Sequence, residues 1–346
     1  MKRLAFILLV TVGLGFGQDL ETRRAARAEA LRVFLDQEKP KDTRLKSVKE
    51  IGYLTDEGFR SIGAILANQR EDDDIRAAAA RVQPTDGEFI SAVVAILNDP
   101  KNGGEALKVQ LITELMKRSI SRLPPARREE VKDAIRRSLD DPREAVRLRA
   151  FRALVPAQDS AAIERLASSL KSAGTPLIPL VDAIELLGLS GAVNHVGVLR
   201  PYLDHEDASV RAVAALTLAI DPESRPKITT MARNKQSPAV VRIAALRGLA
   251  QSDATFASYA VPLLDDAEEP AKLRSVAMQG LVARLNYKPP PPEVQIQIAE
   301  AIERLSKASR VIGPDEDVRG AQSDASRALR YLRESLPAVR EHYSRR

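Results

Sequence analysis

The sequence predicts an all-α protein, a right-handed α-solenoid of about nine helix pairs, and three observations predict it. The stretch Leu139 to Leu154, LDDPREAVRLRAFRAL, reads as a turn that feeds a helix. Asp140, Asp141 and Pro142 stop one helix and start the next, and Val146, Ala150, Ala153 and Leu154 then recur at helical spacing. The pattern returns as LDHEDASVRAVAAL from Leu203, SPAVVRIAALRGL from Ser237 and EPAKLRSVAMQGL from Glu269. Aligned on the basic residue of the Val-Arg step, the marks fall at Arg44, Arg76, Lys108, Arg147, Leu180 (where arginine is missing), Arg211, Arg242, Arg274 and Arg319. Six of the eight intervals are 31 to 33 residues, and the intervals of 39 and 45 carry insertions. A fixed period of this length marks stacked units that bury their faces against their neighbours. Composition is the third observation. Cys and Trp are absent, aromatic residues are 4%, and 44% hydrophobic with 29% charged residues suits a helical array.

Taken in order, residues 1–17 read as a secretory signal. Lys2 and Arg3 form a positive start, Leu4 to Leu14 an apolar run, and Gly15 and Gly17 the small residues before a cut ahead of Gln18. The run is too short to span a bilayer as an anchor. Removing Lys2 and Arg3 lowers the formal charge from +6 to +4. The expected location is the periplasm or beyond, with no membrane span in the mature chain. Without Cys there are no disulfides despite that compartment. Residues 18–37 are expected to form a capping helix, 38–288 repeats one to eight, and 289–346 a Pro-rich loop, a last repeat and a C-terminal capping helix.

In unit two the first helix carries Phe59, Ile62, Ile65 and Leu66, and the turn Glu71-Asp72-Asp73-Asp74 leads to a second helix from Ile75 to Val82. Three successive Asp there suit the helix dipole and its unpaired N–H groups. A calcium loop is the sharper alternative, but the alternating ligand spacing and the later Glu are missing. Pro124 and Pro125 end an insertion in the most basic region, where Lys117 to Arg149 holds eleven Lys or Arg against six Asp or Glu. The interleaved signs of Arg127, Arg128, Glu129, Glu130, Lys132 and Asp133 suit a solvated helix surface; nucleic-acid binding is the alternative, and export argues against it. Pro176 and Pro179 interrupt unit five. Pro289 to Pro292 read as a spacer whose last proline opens a helix, or as a polyproline ligand. One arginine-rich helix is expected over about 318–341.

The Asp/Pro turn, the Val-Arg step and the small residue three positions on, as in Asp141, Pro142, Val146, Arg147 and Ala150, resemble the HEAT repeat. They are closer to its short bacterial form, the HEAT-like repeat also found in phycobilin lyases. The resemblance covers roughly residues 36–335 and is strongest in units four, six, seven and eight. It implies that the arginine of the Val-Arg step bridges to an acidic residue of an adjacent turn. The expected ladder is therefore Asp141, Arg147, Arg211, Arg242 and Arg274, with Asp204 or Asp207 and Asp265 or Asp266 as further acceptors. It also implies that the second helix of each unit lines a concave side. About ligands the repeat says little.

Helical geometry gives the row that would face that side. With the Val-Arg arginine at position zero and 100° per residue, the buried positions minus one, three, six and seven centre near 300°. Position five lies about opposite, with position two beside it. The candidate binding row is Lys46, Lys49, Arg81, Arg149, Arg152, Glu185 and Arg247. Its N-terminal half is basic, which suits an acidic protein or peptide.

No Gly-rich phosphate loop, no Gly-x-Ser-x-Gly elbow and no Ser/His/Asp arrangement is present, and the His residues are three: His195, His205 and His342. His205-Glu206 resembles one His-Glu pair of a HEAT-like hydroxylase that carries four. The expectation is an exported scaffold that binds a protein on its concave face, with no catalytic residue, metal or cofactor. The alternatives are a HEAT-like enzyme of lyase or DNA glycosylase type, or a nucleic-acid-binding solenoid.

Overall fold

The computed structural model describes residues 21–51, 55–118, 123–171, 176–191, 195–252, 255–287, 289–308 and 316–345. The expected signal segment, 1–17, lies outside them, and the side chain of Arg319 is likewise not described. The fold is all-α, with no strand among the described residues. None of their helices is long and apolar enough to cross a membrane. The chain divides into two compact units, residues 1–162 and 163–346.

The first unit holds α1 (residues 21–35), α2 (Lys41–Ser47), α3 (Asp56–Ala67), α4 (Asp73–Val82), α5 (Gly87–Asn98), α6 (Glu105–Lys117), α7 (Pro125–Arg137) and α8 (Glu144–Leu154). The division falls inside α9 (Ser160–Lys171). The even-numbered helices α2, α4, α6 and α8 pack in series, and α3, α5 and α7 form a second layer in series beside them. Residues 21–35 of the segment expected as an N-terminal cap, 18–37, form α1.

The second unit holds α10 (Leu180–Leu189), α11 (Val196–Leu199), α12 (Ala208–Leu218), α13 (Arg225–Arg233), α14 (Ala239–Ser252), α15 (Phe256–Asp265), α16 (Ala271–Tyr287), α17 (Pro292–Ala308), α18 (Glu316–Ser335) and α19 (Pro337–Ser344). Again the even helices α10 to α18 stack one on the next, while α15, α17 and α19 stack in the other layer. The single helix expected over 318–341 is in fact two. Pro337 has no N–H to continue α18 and forces Leu336 into an extended conformation, φ −106° and ψ 115°. Pro292 opens α17, where Val294 N and Gln295 N both donate to Pro291 O, so the proline run is a helix start.

Starts and stops follow the sequence. The side chains of Thr55, Asp72, Asp86 and Asp207 accept from the first-turn N–H groups of Gly58, Asp74, Phe89 and Ser209. Between the layers lie the predicted apolar positions, such as Val146, Ala150 and Leu154 in α8 and Val210, Ala214 and Leu218 in α12, all buried. Small residues set how closely the even helices approach. A Cβ added to Gly248 would sit 2.6 Å from Ala219 Cβ and 2.9 Å from Leu216 O, so no larger side chain fits there without movement.

Candidate functional site

Two sets of cations occupy the even helices, and they do different things. At position zero Arg44, Arg76, Lys108 and Arg242 are buried and spent. Arg44 Nε donates to Phe34 O and its two terminal nitrogens donate to Glu71. Arg76 Nε donates to Leu66 O, and Nη2 to Asn102 at 2.6 Å. Lys108 Nζ donates to Asp99 O and lies 3.6 Å from Asp141. Arg242 Nε donates to Ala232 O while its Nη atoms bind Glu269 at 2.6 and 2.7 Å, with both side chains under 5% exposed. Each such cation caps the carbonyl end of its own first helix and reaches forward to a side chain in the next unit's turn. The helix end supplies unpaired carbonyls and partial negative charge, and the next turn supplies a counter-charge for Arg44, Lys108 and Arg242; for Arg76 it supplies the neutral Asn102, and the counter-charge is Asp73 of its own turn.

The ladder differs in detail from the expected one. Arg242 uses Glu269; Asp265 is paired with Arg304, and Asp266 with Lys235. Arg147 and Arg211 donate to carbonyls of their own turns, Asp141 and Pro142 for the first, His205 and Glu206 for the second. Arg274 is buried with no hydrogen-bond partner for its Nε. Asp141 serves Lys108 and Arg143. Of the other candidate acceptors, Asp204 pairs with Lys227 and Asp207 caps α12. A second set of buried acids belongs to the odd layer: Asp159 binds Arg136, and Asp221 binds Arg200 through both oxygens while accepting from Ser224.

Electrostatics match this geometry. Burial works against the Glu71 carboxylate, yet hydrogen bonds from Arg44 and from the Asp72 N–H hold its pKa below the usual value. Burial opposes ionisation of Asp141 as well, and Arg143 outweighs it. Lys108 is shifted the other way, its pKa lowered by burial despite Asp141. The acidic run of unit two is spent on structure: Asp72 and Asp74 bind Lys41, and Asp73 binds Arg76 and the Gly104 N–H.

The cations of the candidate binding row are the second set, on the even helices or, for Lys49, on the turn after α2. Lys46, Lys49, Arg81, Arg152, Glu185 and Arg247 are exposed and Arg149 is half-buried. The first four and Arg149 belong to the first unit, Glu185 and Arg247 to the second. Lys49 stands on a short 3-10 turn after α2, so its direction is set by that turn and not by the 100° rule. Among the described residues Lys46, Lys49, Arg81 and Arg149 form no ion pair; Arg81 donates to the neutral Gln110. Burial and the nearby Arg152 lower the pKa of Arg149, whose Nε is buried without a partner. Within the second unit Leu216 at position five of α12, Ile220 in the turn after it and Leu189 at the end of α10 are exposed.

Sequence reasoning missed Arg118, which donates to Ala80 O and Gln83 O at the end of α4 and lies over the Phe89 ring, 4.3 Å from its centroid. It also missed the forward acceptors Glu71, Asn102 and Glu269. A polar residue five or six places before position zero recurs at Glu71, Asn102, Asp141 and Glu269, and that recurrence was the available signal.

No family model matches the chain. No curated protein is similar enough to match it either. Among solved structures it is similar to the complex of CpcE and CpcF of phycocyanin lyase from Nostoc sp. PCC7120, at 18% identity over 80% of this chain and 96% of that one, with a TM-score of 0.39. It is also similar to the crystal structure of an engineered protein, at 20% identity over 92% of this chain and 86% of that one, again with a TM-score of 0.39. The all-helical repeat is the class of protein that fold and site define. One expectation is corrected here. The chain was expected to be no enzyme, and a lyase complex stands among the structures it is similar to.

Proposed function

We propose that the chain is an exported helical-repeat protein that binds a protein partner of acidic character along the exposed face of α2, α4 and α8. The observation that carries this reading is the contrast between the two sets of cations. Two exposed lysines elsewhere are neutralised: Lys41, at the start of α2, by Asp72 and Asp74, and Lys235, in the turn before α14, by Asp266 and Glu268. Lys46 and Arg149 at position two, Arg81 at position five and Lys49 on the turn after α2 are left, among the described residues, without carboxylate partners. Such a row steers an acidic partner and fixes its register more than it adds raw affinity.

The test uses a labelled 20-residue poly-glutamate peptide. The triple variant Lys49→Glu, Arg81→Glu, Arg152→Glu loses binding at least tenfold, with helicity and melting unchanged. Binding to the wild type weakens as salt shortens the screening length to about 8 Å near physiological ionic strength. Arg60→Glu with Arg70→Glu, two exposed arginines off the row, leaves binding intact. Equal binding by the triple variant removes the row as the site. Lyase-type activity, the activity of the CpcE–CpcF pair, is the second reading. It predicts that the purified chain changes the absorption spectrum of phycocyanin, whereas the binding reading predicts no change.

A further inference from the structure

The second unit contains a cavity of about 460 Å³ between α15, the second half of α16 and the start of α17. That volume lies in the range of small-molecule pockets. Val261 and Pro262 form one wall, Pro290, Pro291 and Val294 the facing one, and Leu281 and Ile298 contribute buried apolar surface. The proline wall is fixed in φ and offers no N–H groups, so it is apolar and preshaped. Arg284 is the one charged residue that lines the cavity.

Arg284 is half-buried, and among the described residues it makes no hydrogen bond or ion pair. Two residues at the same place in other units are engaged differently. Ten residues after position zero, Arg118 in α6 is held by Ala80 O, Gln83 O and the Phe89 ring. At the same place in α14, Ser252 donates to Ala219 O and Gly248 O. Arg284 alone of these three engages no carbonyl of the preceding even helix and faces an apolar cavity instead. A guanidinium in that setting has lost part of its hydration without gaining a counter-charge, which a bound carboxylate would supply in a two-pronged pair.

We propose that this cavity binds a small monocarboxylate with an apolar body, its carboxylate on Arg284 and its hydrocarbon portion between the proline wall and Val261. Gln297 and Ser258 stand at the lining as further polar groups. The site is independent of the basic row of the first unit.

The test is calorimetric titration of the full chain with decanoate and decyltrimethylammonium below their micelle concentrations and with decanol below its solubility limit. Decanoate binds about tenfold or more tightly than decanol, the scale of a charge-assisted pair, and the cation binds weakest. Arg284→Met keeps an unbranched apolar arm and removes the charge; it abolishes the preference for decanoate over decanol. Val261→Trp fills the cavity and removes binding of all three, with helicity and melting checked in parallel. Arg284→Met decides the matter if the tryptophan variant does not fold. No binding of decanoate, equal binding of decanoate and decanol by the wild type, or an unchanged preference in Arg284→Met overturns the proposal. So does tighter binding of an apolar peptide with a free C-terminal carboxylate, which would assign the same chemistry to a chain end.

Discussion

Removing Glu269 tests the reasoning about the buried ladder most directly. Its carboxylate is 2% exposed, its oxygens lie 2.6 and 2.7 Å from the two Nη atoms of Arg242, and Arg242 Nε is already committed to Ala232 O. In Glu269→Ala the guanidinium keeps its charge and loses its counter-ion where water does not reach. Breaking one partner of such a pair costs about 3–5 kcal/mol. A folding unit of this size loses about 2–4 °C of melting temperature per kcal/mol, so the expected fall is about 6–20 °C. Replacing both partners, Arg242→Met with Glu269→Leu, recovers most of that loss, because two buried charges then disappear together. The control is Lys235→Ala: its pairs with Asp266 and Glu268 are exposed, and melting is expected to stay within error of the wild type. Differential scanning calorimetry on the four proteins is sufficient. If Glu269→Ala melts with Lys235→Ala, or if the double variant is as unstable as the single, the pair does not carry the stability assigned to it.

Stability should also depend on pH in a defined direction. Glu71, Asp141, Asp159 and Asp221 all have pKa values lowered by their basic partners and hydrogen-bond donors against the pull of burial. Their stabilisation is complete above the ordinary values of 4.5 for Glu71 and 3.8 for the aspartates, and is lost as pH falls through the lower folded-state values. Urea midpoints measured from pH 7 to pH 3 should be flat above pH 5 and fall below it; a midpoint that rises on acidification contradicts the assignment. Gln83 is 2% exposed, and neither polar atom of its side chain has a partner, so Gln83→Leu should raise stability by about 1–3 kcal/mol, read by urea denaturation. Ala214 is fully buried in α12, and Ala214→Leu should cost about 1–3 kcal/mol through overpacking, whereas Arg247→Leu on the exposed face should leave melting nearly unchanged.

The helix pairs were legible because their signals are local and repeated. Pro124, Pro292 and Asp207 mark helix starts wherever they occur, and the buried places of Val210, Ala214 and Leu218 follow from 100° per residue alone. The break at Leu336 was equally local, since Pro337 stands in the sequence, and it was missed by weighing arginine content over the proline. The partners of position zero were harder. Whether Arg242 meets Asp265, Asp266 or Glu269 depends on how one turn seats over the next, a matter of an ångström or two that spacing does not fix. Arg284 was passed over for a related reason. A lone arginine near a helix end reads as surface, and only its lack of a carbonyl partner, set beside Arg118, distinguishes it. The exposed basic row could be written down from phase, but its want of counter-ions required knowing where every nearby acid goes.

The forward reach of the position-zero cations gives the chain a direction. Arg44 closes on Glu71 and Arg242 on Glu269, each 27 residues further on. During synthesis a unit therefore has its own two helices before it has its counter-ion, and its burial is completed only when the following turn leaves the ribosome. Loss of residues has the same polarity. Cutting away a unit from the C-terminal side strands a buried cation in the unit left behind, whereas cutting from the N-terminal side leaves an acid in a turn that solvent can reach. Serial truncations of this protein should thus tolerate shortening from the front better than from the back.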